Sequence, residues 1–267
     1  VLVGSRDLVD RVTKDENNLT ITAFLPRMRR SFGELYLGLD GGQPDQRYEK
    51  EAQDANDAVM ALASPIQNYL NTCTAAKDAL QSAVNRWVKD ATDLATENDE
   101  PGWELTIDAR EIIDAVLADL CEHFFGLSER GEHLKRGSAI WDDTGTATPR
   151  YPGHFMAPSR YVFQPHPGPD VERIATAQGQ ALSRAMTKYL ADPAIRRSIT
   201  APVARAVLDS AAAEADRSYA ARTLAGILMG FVPTLDGNMR RILVEWAREG
   251  SLWTLRSSHQ RDLAAGR

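Results

Sequence analysis

The chain has 267 residues, 43% hydrophobic and 25% charged, values of a globular protein with one large core or two smaller ones. Its 31 Lys and Arg against 37 Asp and Glu leave a net charge of −6, which argues against a general nucleic-acid surface. No apolar run reaches the length of a membrane span, and the opening Val1-Leu2-Val3, followed at once by Arg6, Asp7 and Asp10, does not read as a signal peptide.

In chain order, Val1–Val3 reads as a short strand, and Ser5 can cap a helix through Val12. Asn17 and Asn18 mark a turn, and Leu19 to Leu25 reads as extended until Pro26. Phe32 to Asp40 is apolar and Gly-punctuated, and a loop follows at Gly41–Asp45. Tyr48 to Leu62 is helical in pattern. Ser64-Pro65 opens a helix to about Leu94, with Ile66, Leu70, Cys73, Ala76, Leu80, Val84, Trp87 and Val88 as its expected buried stripe.

Thr96 to Gly102 is a polar connector, with Leu105 and Ile107 a short extended entry to the next helix. That helix runs from Asp108 to Phe125 and stops at Gly126, and a short one is expected after Ser128. Residues 142–168, rich in Pro and Gly, have no period and are expected to form a long irregular, mobile loop. His154 and His166 within it are weak metal candidates and read better as exposed loop histidines. Asp170 restarts a helix to about Leu190, Pro193 and Pro202 open two shorter ones, and Leu252 to Ala265 is a tail.

The longest apolar-periodic run begins near Ala215 and ends at Gly250. Within it Leu224, Ile227, Leu228, Phe231, Leu235, Met239, Ile242 and Trp246 recur at helical steps. Gly230, Pro233 and Gly237 interrupt it, so a kink or an opened turn is expected there, with Thr234 at the break. The hydroxyl of Thr234 there has two readings: contact with a ligand, or a bond to the preceding turn. Cys73 and Cys121 fall in helical patterns, and buried free thiols in a reducing cytoplasm fit them best. The expected fold is mainly α, one domain over 1–267, with a small extended N-terminal part.

The order of these pieces resembles the N-terminal and central part of bacterial cytochrome P-450, a haem-thiolate monooxygenase. Four stretches carry the likeness: VLVGSRDLVDRVTKD, RMRRSFGELYLGLD with Tyr48-Glu49-Lys50-Glu51 after it, IIDAVLADLCEHFFGLSE, and AGILMGFVPTLDGNMRRILVEW. The resemblance implies haem b, a small organic substrate, oxygen insertion, and a ferredoxin or flavoprotein as redox partner, with no nucleic acid and no membrane. It places Gly230 and Phe231 over the haem and makes Thr234 the catalytic alcohol. Pro233 stands where the family has an acid. Tyr48 falls near the family's propionate-binding His, and Lys50 is the cation beside it. The alternative for Tyr48 and Lys50 is a solvated helix start.

The family's cysteine loop has no counterpart here, since Cys73 and Cys121 lie in mid-helix patterns. Two functional classes therefore stand side by side. One is part of a monooxygenase whose haem-ligating half lies outside this chain. The other is a non-catalytic all-α ligand- or partner-binding protein derived from the same fold.

Overall fold

Helical spacing in the sequence becomes helix in space. The computed structural model describes residues 21–42, 44, 46–95, 109–126, 155–210, 212–213, 216, 218–251 and 254. Within them lie α1 (Leu25–Ser31), α2 (Arg47–Met60), α3 (Ile66–Ala95), α4 (Ala109–Phe125), α5 (Met156–Phe163), α6 (Pro169–Ala191), α7 (Pro193–Ser198), α8 (Pro202–Leu208) and α9 (Tyr219–Arg248). No strand occurs among the described residues, and none of their helices is long and apolar enough to cross a membrane. The expected opening strand and Ser5-capped helix, the 96–102 connector and its extended entry, the helix after Ser128, residues 142–154 and the tail beyond 254 lie outside the described residues.

Local signals place most boundaries. Asp192 caps α7, its carboxylate accepting from the amides of Ala194 and Ile195. Pro193 and Pro202 occupy first-turn positions, where a missing N–H costs nothing. Gly126 adopts φ 66° just past α4, the left-handed conformation that lets a helix end without a Cβ penalty.

Four expectations need correction. Residues 21–31 are helical: a 3-10 turn spans Thr22–Phe24 and α1 starts at Leu25. Pro26 lies in the first turn of α1, where proline is tolerated, and does not end an extended segment. Residues 156–163, expected in an irregular loop, form α5. Phe155, Tyr161 and Val162 are buried there, Phe155 stacks on Phe32 at 5.5 Å, and Arg27 donates to the carbonyls of Gln164 (2.6 Å) and Pro165 (3.2 Å).

The third correction concerns α3. Ile66, Leu70 and Leu80 are 70%, 50% and 47% exposed, and Cys73 is exposed as well. The face that packs on α4 carries Ala79 and Ala83, whose small side chains let the two helices approach closely. Last, of the two outcomes expected at Pro233, the opened turn does not occur: α9 is one continuous helix through it. Leu224, Ile227, Leu228, Met229 and Val232 are all buried on its N-terminal half. At about 2 kcal/mol each, these side chains outweigh the roughly 3 kcal/mol that one interior proline costs.

The buried residues form one contiguous cluster. Helix α9 runs along it, touching α2, α4, α5, α6 and α8. Its burial fades along its length: Phe231, Leu235 and Met239 are partly buried, while Ile242, Val244 and Trp246 are 46%, 47% and 42% exposed.

Candidate functional site

Helix α9 advances about 100° per residue, so Gly230, Thr234, Gly237 and Arg241 share one narrow face. All four are exposed. A Cβ built on Gly230 or Gly237 meets no atom within 4 Å, so this face is open surface among the described residues. Val232 and Asp236 lie on the opposite side and are buried. Asp236 is held by Arg240, at 2.9 Å from Nε and 2.7 Å from Nη2. It therefore turns its carboxylate away from the Thr234 hydroxyl, as its position two residues on requires.

Phe231 does not join the open face. Its ring tilts onto that of Phe125 on α4, with centroids 5.2 Å apart. That contact joins α9 to α4.

Tyr48 and Lys50 stand on the first turn of α2. Lys50 is exposed, and Tyr48 is half-buried in a recess of about 450 Å³ shared with Thr22, Arg29, Glu34, Asp40 and Arg47. Helix α2 meets α9 upstream of the open face. Tyr219 donates to Asp54 at 2.7 Å, and Arg222 donates to Glu51 at 3.0 and 3.1 Å. Tyr48 lies close enough to Tyr36 to act on its ionisation, and the ring of Tyr36 packs on Gly226, where a Cβ would come within 2.5 Å of it. Tyr36, not Tyr48, is the residue that contacts the turn of α9 just before Gly230. Lys50 is not brought to that face by any described contact.

The sequence reading passed over the polar junction between α2 and α9. Glu51 is 2% exposed and accepts at Oε1 from Arg47 (2.8 Å) and Arg222, while Oε2 is buried with no hydrogen bond among the described residues. Arg47 also pairs with Glu34, whose carboxyl is held below the usual range chiefly by that hydrogen bond. Burial pushes the Tyr36 phenol up to about 12, with the Tyr48 and Glu51 charges adding to it, and burial together with Asp54 pushes Tyr219 up as well. The i,i+4 spacing of Arg47 and Glu51 was a visible signal; the third member, Arg222, was not.

Compared with protein-family models, curated proteins and solved structures, the chain gives no significant match.

The haem that the resemblance implies would need a thiolate ligand. Cys121 is fully buried in the core, and Cys73 is exposed in the middle of α3. Neither sits in a loop whose amides could face the sulfur, the setting a thiolate ligand needs. The described residues also hold no group of three His, Cys, Asp or Glu able to bind a metal. The residues present therefore do not make a complete haem site.

Proposed function

We propose that this chain is the distal part of a haem-dependent monooxygenase acting on a small organic substrate, with the haem-ligating half and the docking surface for a redox partner outside residues 1–267. The observation that carries this reading is the open face of α9. Its residues Gly230, Thr234 and Gly237 form an exposed strip with no described residue over the two glycines, while the same helix is anchored on its opposite side by Val232 and Asp236. A flat prosthetic group needs such a strip, because a side chain at Gly230 would hold it away. Tyr48, half-buried on the first turn of α2, is a candidate contact for its polar edge.

Thr234 is the residue in this chain assigned to the chemistry, as the hydroxyl exposed on the strip. Asp236 cannot assist it directly, being turned inward onto Arg240. In the complete protein, Thr234→Ala is expected to leave haem content unchanged and to lower product formed per oxygen consumed. Oxygen uptake measured beside product yield tests this, and an unchanged ratio would leave Thr234 with no part in the chemistry.

A second reading is favoured by the placement of the cysteines: a non-catalytic all-α protein of the same descent, binding a ligand or a partner. Haem uptake by the complete protein separates the two.

A further inference from the structure

We infer that the cleft between α3 and α4 is a binding site for a small organic cation with an apolar body. The cleft has a volume of about 530 Å³ and is also lined by Pro202 of α8. That volume lies in the range of small-molecule pockets. No residue of α9 lines it, so it is separate from the Gly230–Thr234 strip.

The floor is apolar, made by Ala75, Phe124 and Pro202. One wall is a row on α3, with Asn71, Thr74 and Asp78 on successive turns; the other carries His123. The polar groups near the α2–α3 junction are already engaged and stiffen that wall. Asn68 donates to the carbonyls of Ala61 (2.7 Å) and Ser64 (3.0 Å), and Thr72 donates to that of Leu62 (2.9 Å). Thr74 bonds back to the Leu70 carbonyl at 3.0 Å.

Asp78 and His123 are different. Neither carries a hydrogen bond or ion pair among the described residues. The His123 ring only meets the edge of Phe124, with centroids 4.9 Å apart.

Charge decides the ligand class. A second cleft of about 410 Å³ shares His123 and Pro202 with the first and adds Glu122, Tyr189 and Ser198. Among the described residues, no lysine or arginine lines either cleft. Asp78 shares the first cleft with His123 and Glu122 the second, with no described basic side chain in either lining. An ammonium placed against Asp78 would gain a charge-assisted hydrogen bond, with the His123 ring nitrogen as a further acceptor. The apolar body of the ligand would lie on Ala75 and Phe124. A carboxylate or phosphate would meet repulsion and no cation.

Calorimetric titration of the 267-residue chain tests this with three probes: 2-phenylethylammonium, neutral 2-phenylethanol and anionic 3-phenylpropionate. The ammonium is expected to bind at least about tenfold tighter than the alcohol, and the propionate to give no binding. Asp78→Asn should bring the ammonium down to the level of the alcohol, and His123→Ala should also weaken it, both with the far-ultraviolet circular dichroism unchanged. Asp57→Asn, exposed on α2 and outside the cleft, should leave binding as it was. Equal affinity for ammonium and alcohol, unchanged affinity in folded Asp78→Asn, or no heat from any probe would overturn the assignment.

Discussion

Glu51 is the residue on which the polar contact between α2 and α9 turns. Its Oε1 holds two guanidinium groups, Arg47 and Arg222, that are 27% and 23% exposed. Removing one member of a fully buried ion pair costs about 3–5 kcal/mol. Here both arginines keep another acid, Glu34 for Arg47 and Asp216 for Arg222, so the loss should be smaller. Glu51→Ala is expected to destabilise the chain by about 2 kcal/mol, and Glu51→Gln, which keeps an acceptor at Oε1, by about 1 kcal/mol. Urea titration reads both. A loss under about 0.5 kcal/mol in the alanine variant would show that the cluster adds nothing to stability.

At the scale of the element, α9 combines a buried N-terminal half with a bare strip at Gly230 and Gly237. Glycine inside a helix costs about 0.5–1 kcal/mol relative to alanine. With no atom of the described residues within 4 Å of a Cβ at either position, Gly230→Ala should stabilise residues 1–267 by that amount, seen as a higher melting temperature. In the complete protein the same methyl group should lower haem occupancy or shift its absorption. Stabilisation with no effect on haem would leave the strip unexplained by the proposed function.

The bounds of most helices were legible because their signals are local: Pro193, Pro202, Gly126 and the period of the long helix. The face each helix buries was less so. On α3 the periodic Ile66, Leu70 and Leu80 stand exposed while Ala79 and Ala83 pack, because two helices in close contact need small residues where they touch. Helix α5 was hidden because Pro158 reads as a breaker, whereas in a first turn it is harmless. What holds α5, the stack of Phe155 on Phe32 and the reach of Arg27, joins segments far apart in the sequence. At the candidate site, the sequence pattern put Thr234 on the long helix beside Pro233, and the helix continues through that position. The turn of Phe231 onto Phe125 was not, since it depends on where α4 packs.

For the whole molecule, the titrating groups set limits to stability at both ends of the pH scale. Glu34, Asp209 and Asp216 have carboxyl pKa values lowered by their hydrogen bonds, chiefly from Arg47, Arg205 and Ser218 respectively. Their contribution is present above the unfolded value of about 4 and is lost as pH falls below it. Tyr36 runs the other way. Its phenol is raised to about 12, so its contribution is full below the unfolded value of about 10 and disappears as pH climbs through 12. The urea midpoint should fall on both sides, and Tyr36→Phe should flatten the alkaline limb. An alkaline limb unchanged in that variant would assign it to other groups.

The central claim is that α9 offers a wall for haem while the thiolate comes from outside residues 1–267. The most direct test is the absorption spectrum of the reduced, carbon-monoxide-bound protein after haem is supplied. Residues 1–267 alone should give no thiolate-type Soret band, because Cys121 is enclosed in the core and Cys73 is exposed in mid-helix. A longer polypeptide of the kind the proposed function requires should give that band and lose it on Gly230→Trp. A thiolate-type band from residues 1–267, abolished by Cys121→Ser, would contradict the placement of the ligand, and a longer polypeptide that takes up no haem would contradict the function itself.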